Sequence, residues 1–181
     1  MTWRQLPNAI TGLRIALVPA LGWLLHERDW LPAAGVVVLA AATDWLDGFL
    51  ARRLNQMSAF GAFLDPVADK LIVVAALLAL LYLNRVDMIV ALIIVGREIA
   101  ISALREWMAN IGQARSVAVS MLGKIKTVSQ MVAIPLLLYH DTLGGFDPQQ
   151  WGTWLIYVAA VLTLVSMAWY LKVSLPLAWK Q

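Results

Sequence analysis

The sequence predicts an all-α integral membrane protein with six transmembrane helices, in a single domain that covers residues 1–181. Two observations predict this class. Hydrophobic residues make up 61% of the chain, charged residues make up 14%, and the mean hydropathy is +0.75, which excludes an ordinary soluble domain. Apolar runs also recur with a length of about 20 residues, which is what an α-helix needs to cross a bilayer.

Polar or Gly- and Pro-bearing breaks divide the apolar runs into six expected spans. They lie near residues 7–27, 32–53, 59–83, 87–108, 118–139 and 152–173. Ahead of the first span, Trp3 and Arg4 suit a short interfacial segment. Before the last span, residues 140–150 contain a Gly-Gly pair and an Asp-Pro pair, which predict a long external loop.

The lysines and arginines predict the orientation, because these residues accumulate on the cytoplasmic side of a membrane. With the N-terminus inside, the outside turns hold only Arg28 and Arg85. The inside regions then hold Arg4, Arg52, Arg53, Arg115, Lys172 and Lys180. Both termini are therefore expected in the cytoplasm. A short chain without targeting extensions suits a bacterial inner membrane, and we expect no nucleic-acid partner.

Four carboxylates lie within the second and third spans, where an ionised side chain is costly. Helical periodicity places Asp44 and Asp47 on one face of the second span, and Asp65 and Asp69 on one face of the third. A short turn makes these spans antiparallel neighbours, so the two faces can converge near the cytoplasmic ends. Divalent metal ions, a proton path or internal salt bridges could hold such a cluster. Because the chain has no cysteine, a metal site would use oxygen or histidine, and all-oxygen ligands favour Mg²⁺, Mn²⁺ or Ca²⁺.

The carboxylates belong to a longer pattern, D-x2-D-G-x2-A-R-x8-G-x3-D-x3-D. Its fixed positions are Asp44, Asp47, Gly48, Ala51, Arg52, Gly61, Asp65 and Asp69. This pattern resembles the signature of the CDP-alcohol phosphotransferases, which are membrane enzymes that make phospholipids. The resemblance implies a six-helix protein, usually a homodimer, in which an alcohol attacks a CDP-linked lipid and CMP is released.

The resemblance also implies roles for individual residues, in an active site that faces the cytoplasm. Two divalent cations, Mg²⁺ or Mn²⁺, would be held by Asp44, Asp47, Asp65 and Asp69. Asp69 would act as the general base as well. The cytidine diphosphate would be lined by Gly48, Ala51, Arg52 and Gly61, with Asn8, Thr11 and Arg14 at the edge of its site.

Basic residues in the fourth and fifth spans indicate the acceptor alcohol. Arg97 and Arg105 lie in the fourth span, and Lys124 and Lys126 lie near the start of the fifth. A phosphorylated alcohol needs such a basic pocket, since Arg and Lys are the usual phosphate ligands. Their alternative role is snorkelling and pairing with the glutamates of the fourth span.

Four stretches resemble the branch of the family that makes phosphatidylglycerophosphate, namely LPNAITGLRI, GREI, ALREW and GKIKT. This resemblance implies CDP-diacylglycerol as the lipid donor and sn-glycerol 3-phosphate as the acceptor. The same chemistry with serine, inositol phosphate or another alcohol stays open. A cation or proton transporter could also carry intramembrane carboxylates, although their position toward one membrane face and the neighbouring arginine argue against it. A purely structural scaffold would leave the carboxylate spacing unexplained.

Overall fold

The computed structural model describes residues 6–54, 59–113, 121–142 and 144–178, and for residues 6–10, 44–54, 59–63, 65, 175, 177 and 178 it describes the backbone alone. Within these residues the chain forms six α-helices. In chain order they are α1 (Leu6–His26), α2 (Trp30–Leu54), α3 (Ala59–Tyr82), α4 (Met88–Asn110), α5 (Met121–Tyr139) and α6 (Pro148–Ala178). Each helix covers most of one expected span, which confirms the all-α prediction. Trp3 and Arg4 of the expected interfacial segment lie outside the described residues.

The apolar exterior of the bundle indicates a lipid environment. Among the described residues, Met121–Tyr139 in α5 and Pro148–Ser174 in α6 are long and apolar enough to cross a membrane. Thr11–His26 and Trp30–Thr43 are shorter apolar stretches. Large apolar side chains also lie exposed on α3 to α6, including Leu78, Leu92, Val128 and Val161. A surface of this kind is what lipid tails cover, while six complete spans and their orientation stay predictions.

The connection between α5 and α6 is shorter than the sequence predicts. α6 begins at Pro148, inside the stretch 140–150 that the turn residues mark as loop. The side chain of Asp147 accepts a hydrogen bond from the backbone N–H of Gln150 at 3.1 Å, as an N-cap residue does. Pro148 then occupies the first helical position, where its missing N–H costs nothing. The local capping chemistry therefore extends the helix into the expected loop.

Arg85, in the turn between α3 and α4, connects this turn to α2 and α5. Its Nη1 atom donates to the carbonyl oxygens of Leu137 at 3.1 Å and Leu138 at 2.6 Å, which are among the last of α5. A cation is favourable at a helix C-terminus, where carbonyl groups lack helical partners. The guanidinium carbon also lies 4.5 Å from the ring centroid of Trp30 at the start of α2. Burial lowers the pKa of Arg85. The nearby carboxylate of Asp141 favours the charged guanidinium and offsets part of this lowering.

The helices pack around an apolar core to which all six contribute buried side chains. α1 lies against α2 and α3, α5 lies against α2 and α6, and α4 lies against α3 and α6. α2 and α3 also contact each other, as their short connection predicts. The core contains the fully buried side chains of Leu77, Ile94, Ile134 and Leu137. Gly152 lets α6 approach α5 closely, because a Cβ atom there would lie 2.7 Å from Cγ of Leu137.

Candidate active site

Asp69, the predicted general base, lies on α3 and forms an ion pair with Arg14 of α1. The bond joins Nη1 of the arginine to Oδ1 of the aspartate. The arginine side chain is almost completely buried, whereas 38% of the aspartate side chain is exposed. Thr11, an expected neighbour of the nucleotide site, is fully buried on α1, about one turn before Arg14. The ion pair therefore fixes the Asp69 carboxylate against α1 while leaving it accessible.

The other predicted metal ligands are only partly described. The side chains of Asp44, Asp47 and Asp65, and those of Asn8, Gly48, Ala51, Arg52 and Gly61, lie outside the described residues. The backbone places Asp44 and Asp47 in α2, and it places Asp65 in α3, four positions and about one turn before Asp69. Among the described side chains, no group of three or more metal-binding residues occurs. The four-aspartate site stays a prediction.

A cavity of about 710 Å³ lies between α3, α4 and α5 and joins Asp69 to the predicted basic residues. α4 and α5 together bring three cations to it, and all three were expected at the acceptor site. The charged side chains that line it are Asp69, Lys70, Arg97, Glu98, Arg105, Glu106 and Lys126. The structure therefore places the predicted base and most of the predicted phosphate ligands around one space.

Glu98 holds two of the buried cations in the cavity wall. Its Oε2 atom accepts hydrogen bonds from Nζ of Lys126 at 2.8 Å and from Nη1 of Arg97 at 3.1 Å. Lys126 is 1% exposed and Arg97 is 6% exposed. Two cations removed from water need a compensating charge, and this carboxylate supplies it. Pairing with a glutamate, the alternative role that the sequence left open, is thus present, but it occurs on the cavity surface.

Lys124 takes a different position from Lys126. Its side chain is exposed, and it is not among the described residues that line the cavity. From the sequence, helical periodicity predicts that Gly123, Lys126, Thr127 and Gln130 share a face of α5; three of them are buried, and Thr127 is exposed. Of the four expected acceptor-phosphate ligands, the structure therefore brings three together and directs Lys124 elsewhere.

Two side chains of α6 contact the arginines of this site, although no residue of α6 is expected there from the sequence. Ser166 on α6 lies with its Oγ atom 3.5 Å from Nη2 of Arg97. The hydroxyl oxygen of Tyr170, also on α6, lies 3.3 Å from Nη2 of Arg105. Both α6 side chains are buried. The available signal was a row of hydroxyl side chains at helical spacing in an otherwise apolar helix, Thr163, Ser166, Tyr170 and Ser174.

Comparison with known proteins places this chain in a family. The family model for CDP-alcohol phosphatidyltransferase matches residues 4–165. The chain is 45% identical over 175 residues to the CDP-diacylglycerol–glycerol-3-phosphate 3-phosphatidyltransferase of Escherichia coli strain K12. The alignment covers 94% of each chain. The protein of the same name from Shigella flexneri serotype 5b matches with the same identity and coverage. The chain therefore belongs to the CDP-alcohol phosphatidyltransferase family.

Proposed function

We propose that this protein transfers the phosphatidyl group of CDP-diacylglycerol to sn-glycerol 3-phosphate, giving phosphatidylglycerophosphate and CMP. The names of relatives that are 45% identical over 94% of the chain support this reaction. The structural observation that carries the proposal is the cavity that joins Asp69 to Arg97, Arg105 and Lys126. It offers an acceptor one end for its phosphate and another for its reacting hydroxyl.

The charge of the cavity suits a phosphate monoester. The charge of Asp69 is matched by Arg14. Among the described side chains that line the cavity, the remaining charged groups are four cations and two glutamates. The excess of two positive charges equals the charge of a phosphate monoester dianion, and arginine and lysine supply the charge-assisted hydrogen bonds that such a group accepts. Serine, which has no phosphate, would leave the two excess positive charges of the cavity without a compensating anion.

In the proposed reaction the acceptor oxygen forms a bond to the β-phosphorus of the donor. The bond from that phosphorus to the bridging oxygen breaks, and CMP leaves. Asp69 accepts the proton of the acceptor hydroxyl, because its carboxylate lines the cavity and is 38% exposed, whereas the carboxylate of Glu98 is taken up by Arg97 and Lys126. Arg14 holds the carboxylate in place from the buried side. Holding both reactants in one geometry removes much of the entropic barrier to the displacement.

Divalent metal ions are used by this family. We propose that Asp44, Asp47, Asp65 and Asp69 hold two of them, Mg²⁺ or Mn²⁺, because an all-carboxylate set without cysteine fits hard cations. Bound there, the ions would supply positive charge that stabilises the diphosphate and the leaving CMP. The nucleotide would lie against Gly48, Ala51, Arg52 and Gly61, with Asn8 and Thr11 at its edge.

We further propose six membrane spans with both termini and the active site on the cytoplasmic side of a bacterial inner membrane, and a homodimer in that membrane. The distribution of basic residues supports the orientation. The exposed apolar surfaces of α3 to α6 support the membrane location.

The proposal is tested with purified protein in mixed micelles of CDP-diacylglycerol, labelled sn-glycerol 3-phosphate and Mg²⁺. We expect equal amounts of CMP and labelled lipid, and no product from Asp69→Asn. Asp29→Asn, in the exposed turn after α1, serves as the control and should keep full activity. Normal turnover by Asp69→Asn would contradict its role as the base. Unlabelled serine or inositol phosphate is added in competition, and preferential use of either would contradict the proposed acceptor.

A further inference from the structure

α6 presents a buried polar face toward the arginines of α4. Thr163, Ser166 and Tyr170 are each no more than 1% exposed. Their spacing of three and four residues places them on one side of the helix. A helix that only faced lipid and apolar core would gain nothing from burying hydroxyl groups. Two of the three side chains have a polar partner on α4, since Ser166 contacts Arg97 and Tyr170 contacts Arg105.

Tyr170 contacts both arginines. The guanidinium carbon of Arg97 lies 5.9 Å from the centroid of its ring, and that of Arg105 lies 5.4 Å away. These distances are within the range of cation–π attraction, which strengthens when the groups are shielded from water. The tyrosine hydroxyl also lies 3.3 Å from Nη2 of Arg105. One buried side chain thus restrains two cations that are eight positions apart on α4.

Both arginines keep hydrogen-bonding capacity for a ligand. Among the described residues, their Nε atoms are buried and have no hydrogen-bond partner. Both side chains line the cavity. An anion in the cavity would accept hydrogen bonds from the guanidinium groups that line it.

We propose that Tyr170 is a positioning residue for the acceptor phosphate, an inference that rests on the proposed function. Its ring and hydroxyl hold Arg97 and Arg105 in the orientation in which they receive the phosphate. An arginine side chain loses rotamer entropy when it binds a ligand, and prior restraint by the ring removes part of that loss from the binding step. Because Tyr170 touches neither reactant, we expect its replacement to change the affinity for the acceptor and to leave the rate of the chemical step almost unchanged.

The test measures KM for both substrates and kcat in Tyr170→Phe and Tyr170→Leu. The phenylalanine keeps the ring and loses the hydroxyl, so we expect a rise of about threefold in the acceptor KM. The leucine loses both interactions, so we expect a rise of about tenfold. In both variants kcat and the KM for CDP-diacylglycerol should stay within about twofold of wild type. Tyr157→Phe and Tyr157→Leu, at an exposed tyrosine of the same helix, are the matched controls and should leave all three constants unchanged.

An unchanged acceptor KM in folded Tyr170→Phe and Tyr170→Leu would overturn the inference, as would an equal rise in the KM of both substrates. If Tyr170→Leu does not fold, Tyr170→Phe alone decides, because it changes a single hydroxyl group. Failure of the proposed function gives a different result, since wild-type protein would then not use sn-glycerol 3-phosphate at all.

Discussion

Replacing Lys126 with methionine should weaken binding of the acceptor and leave binding of the lipid donor almost unchanged. Lys126 is 1% exposed, and its Nζ atom is 2.8 Å from Glu98 at the wall of the cavity. Methionine keeps much of the apolar length of the side chain and removes the charge. A hydrogen bond to a charged group contributes about 1.5–3 kcal/mol. Since each ~1.4 kcal/mol is a factor of ten, the acceptor KM should rise about tenfold to a hundredfold.

The assay follows release of CMP at varied sn-glycerol 3-phosphate with saturating CDP-diacylglycerol, and then with the two roles exchanged. Lys124→Met is the informative comparison, because this exposed lysine lies two residues away and does not line the cavity among the described residues. We expect a much smaller change in its acceptor KM. Lys172→Met, at an exposed lysine of α6, should match wild type in every constant.

Two results would refute this reasoning. An unchanged acceptor KM in folded Lys126→Met would show that the phosphate binds elsewhere. Equal losses in Lys124→Met and Lys126→Met would show that net charge at the membrane face, and not the geometry of the cavity, attracts the acceptor.

Three further predictions concern stability. Arg85→Met should lower the thermal midpoint without changing kcat, because it removes the hydrogen bonds to the last carbonyl groups of α5. These hydrogen bonds contribute about 1–3 kcal/mol. An unchanged midpoint, measured by thermal denaturation in detergent, would contradict this. Gly152→Ala should destabilise the protein by about 1–3 kcal/mol, because the added Cβ atom would clash with Leu137. Gly22→Ala is the control and should not destabilise the protein, because open space surrounds that position. Equal thermal midpoints for the two variants would refute the close approach of α5 and α6. Glu98→Gln should lower the thermal midpoint in the absence of ligand, because the carboxylate of Glu98 compensates two buried cations. Millimolar sn-glycerol 3-phosphate should restore the midpoint of this variant. A midpoint equal to that of wild type without ligand would contradict that role.

The sequence predicted the helices well because apolar length and its polar interruptions are local properties. The start of α6 departed from the expected loop, since Asp147 and Pro148 are typical of a turn and can equally cap and begin a helix. Charged residues inside apolar spans were the strongest site signal, and Asp69, Arg97, Arg105 and Lys126 do meet at one cavity.

Contacts between distant helices could not be read from the sequence. Arg14 and Asp69 are 55 positions apart, and nothing in their spacing pairs them. Tyr170 was missed for a related reason, because a tyrosine hydroxyl hardly alters the hydropathy of a span and the helix that it faces is set by the assembled bundle. Lys124 and Lys126 are both expected at the acceptor site and lie two positions apart, and the structure distinguishes them because Lys124 is exposed and Lys126 is buried.

The most direct test of the central claim is a structure determined with sn-glycerol 3-phosphate bound to the protein. We predict that the phosphate lies in the cavity between α3, α4 and α5, within hydrogen-bonding distance of Arg97, Arg105 and Lys126. We also predict that a hydroxyl group of the acceptor lies toward Asp69. A phosphate bound outside that cavity would contradict it.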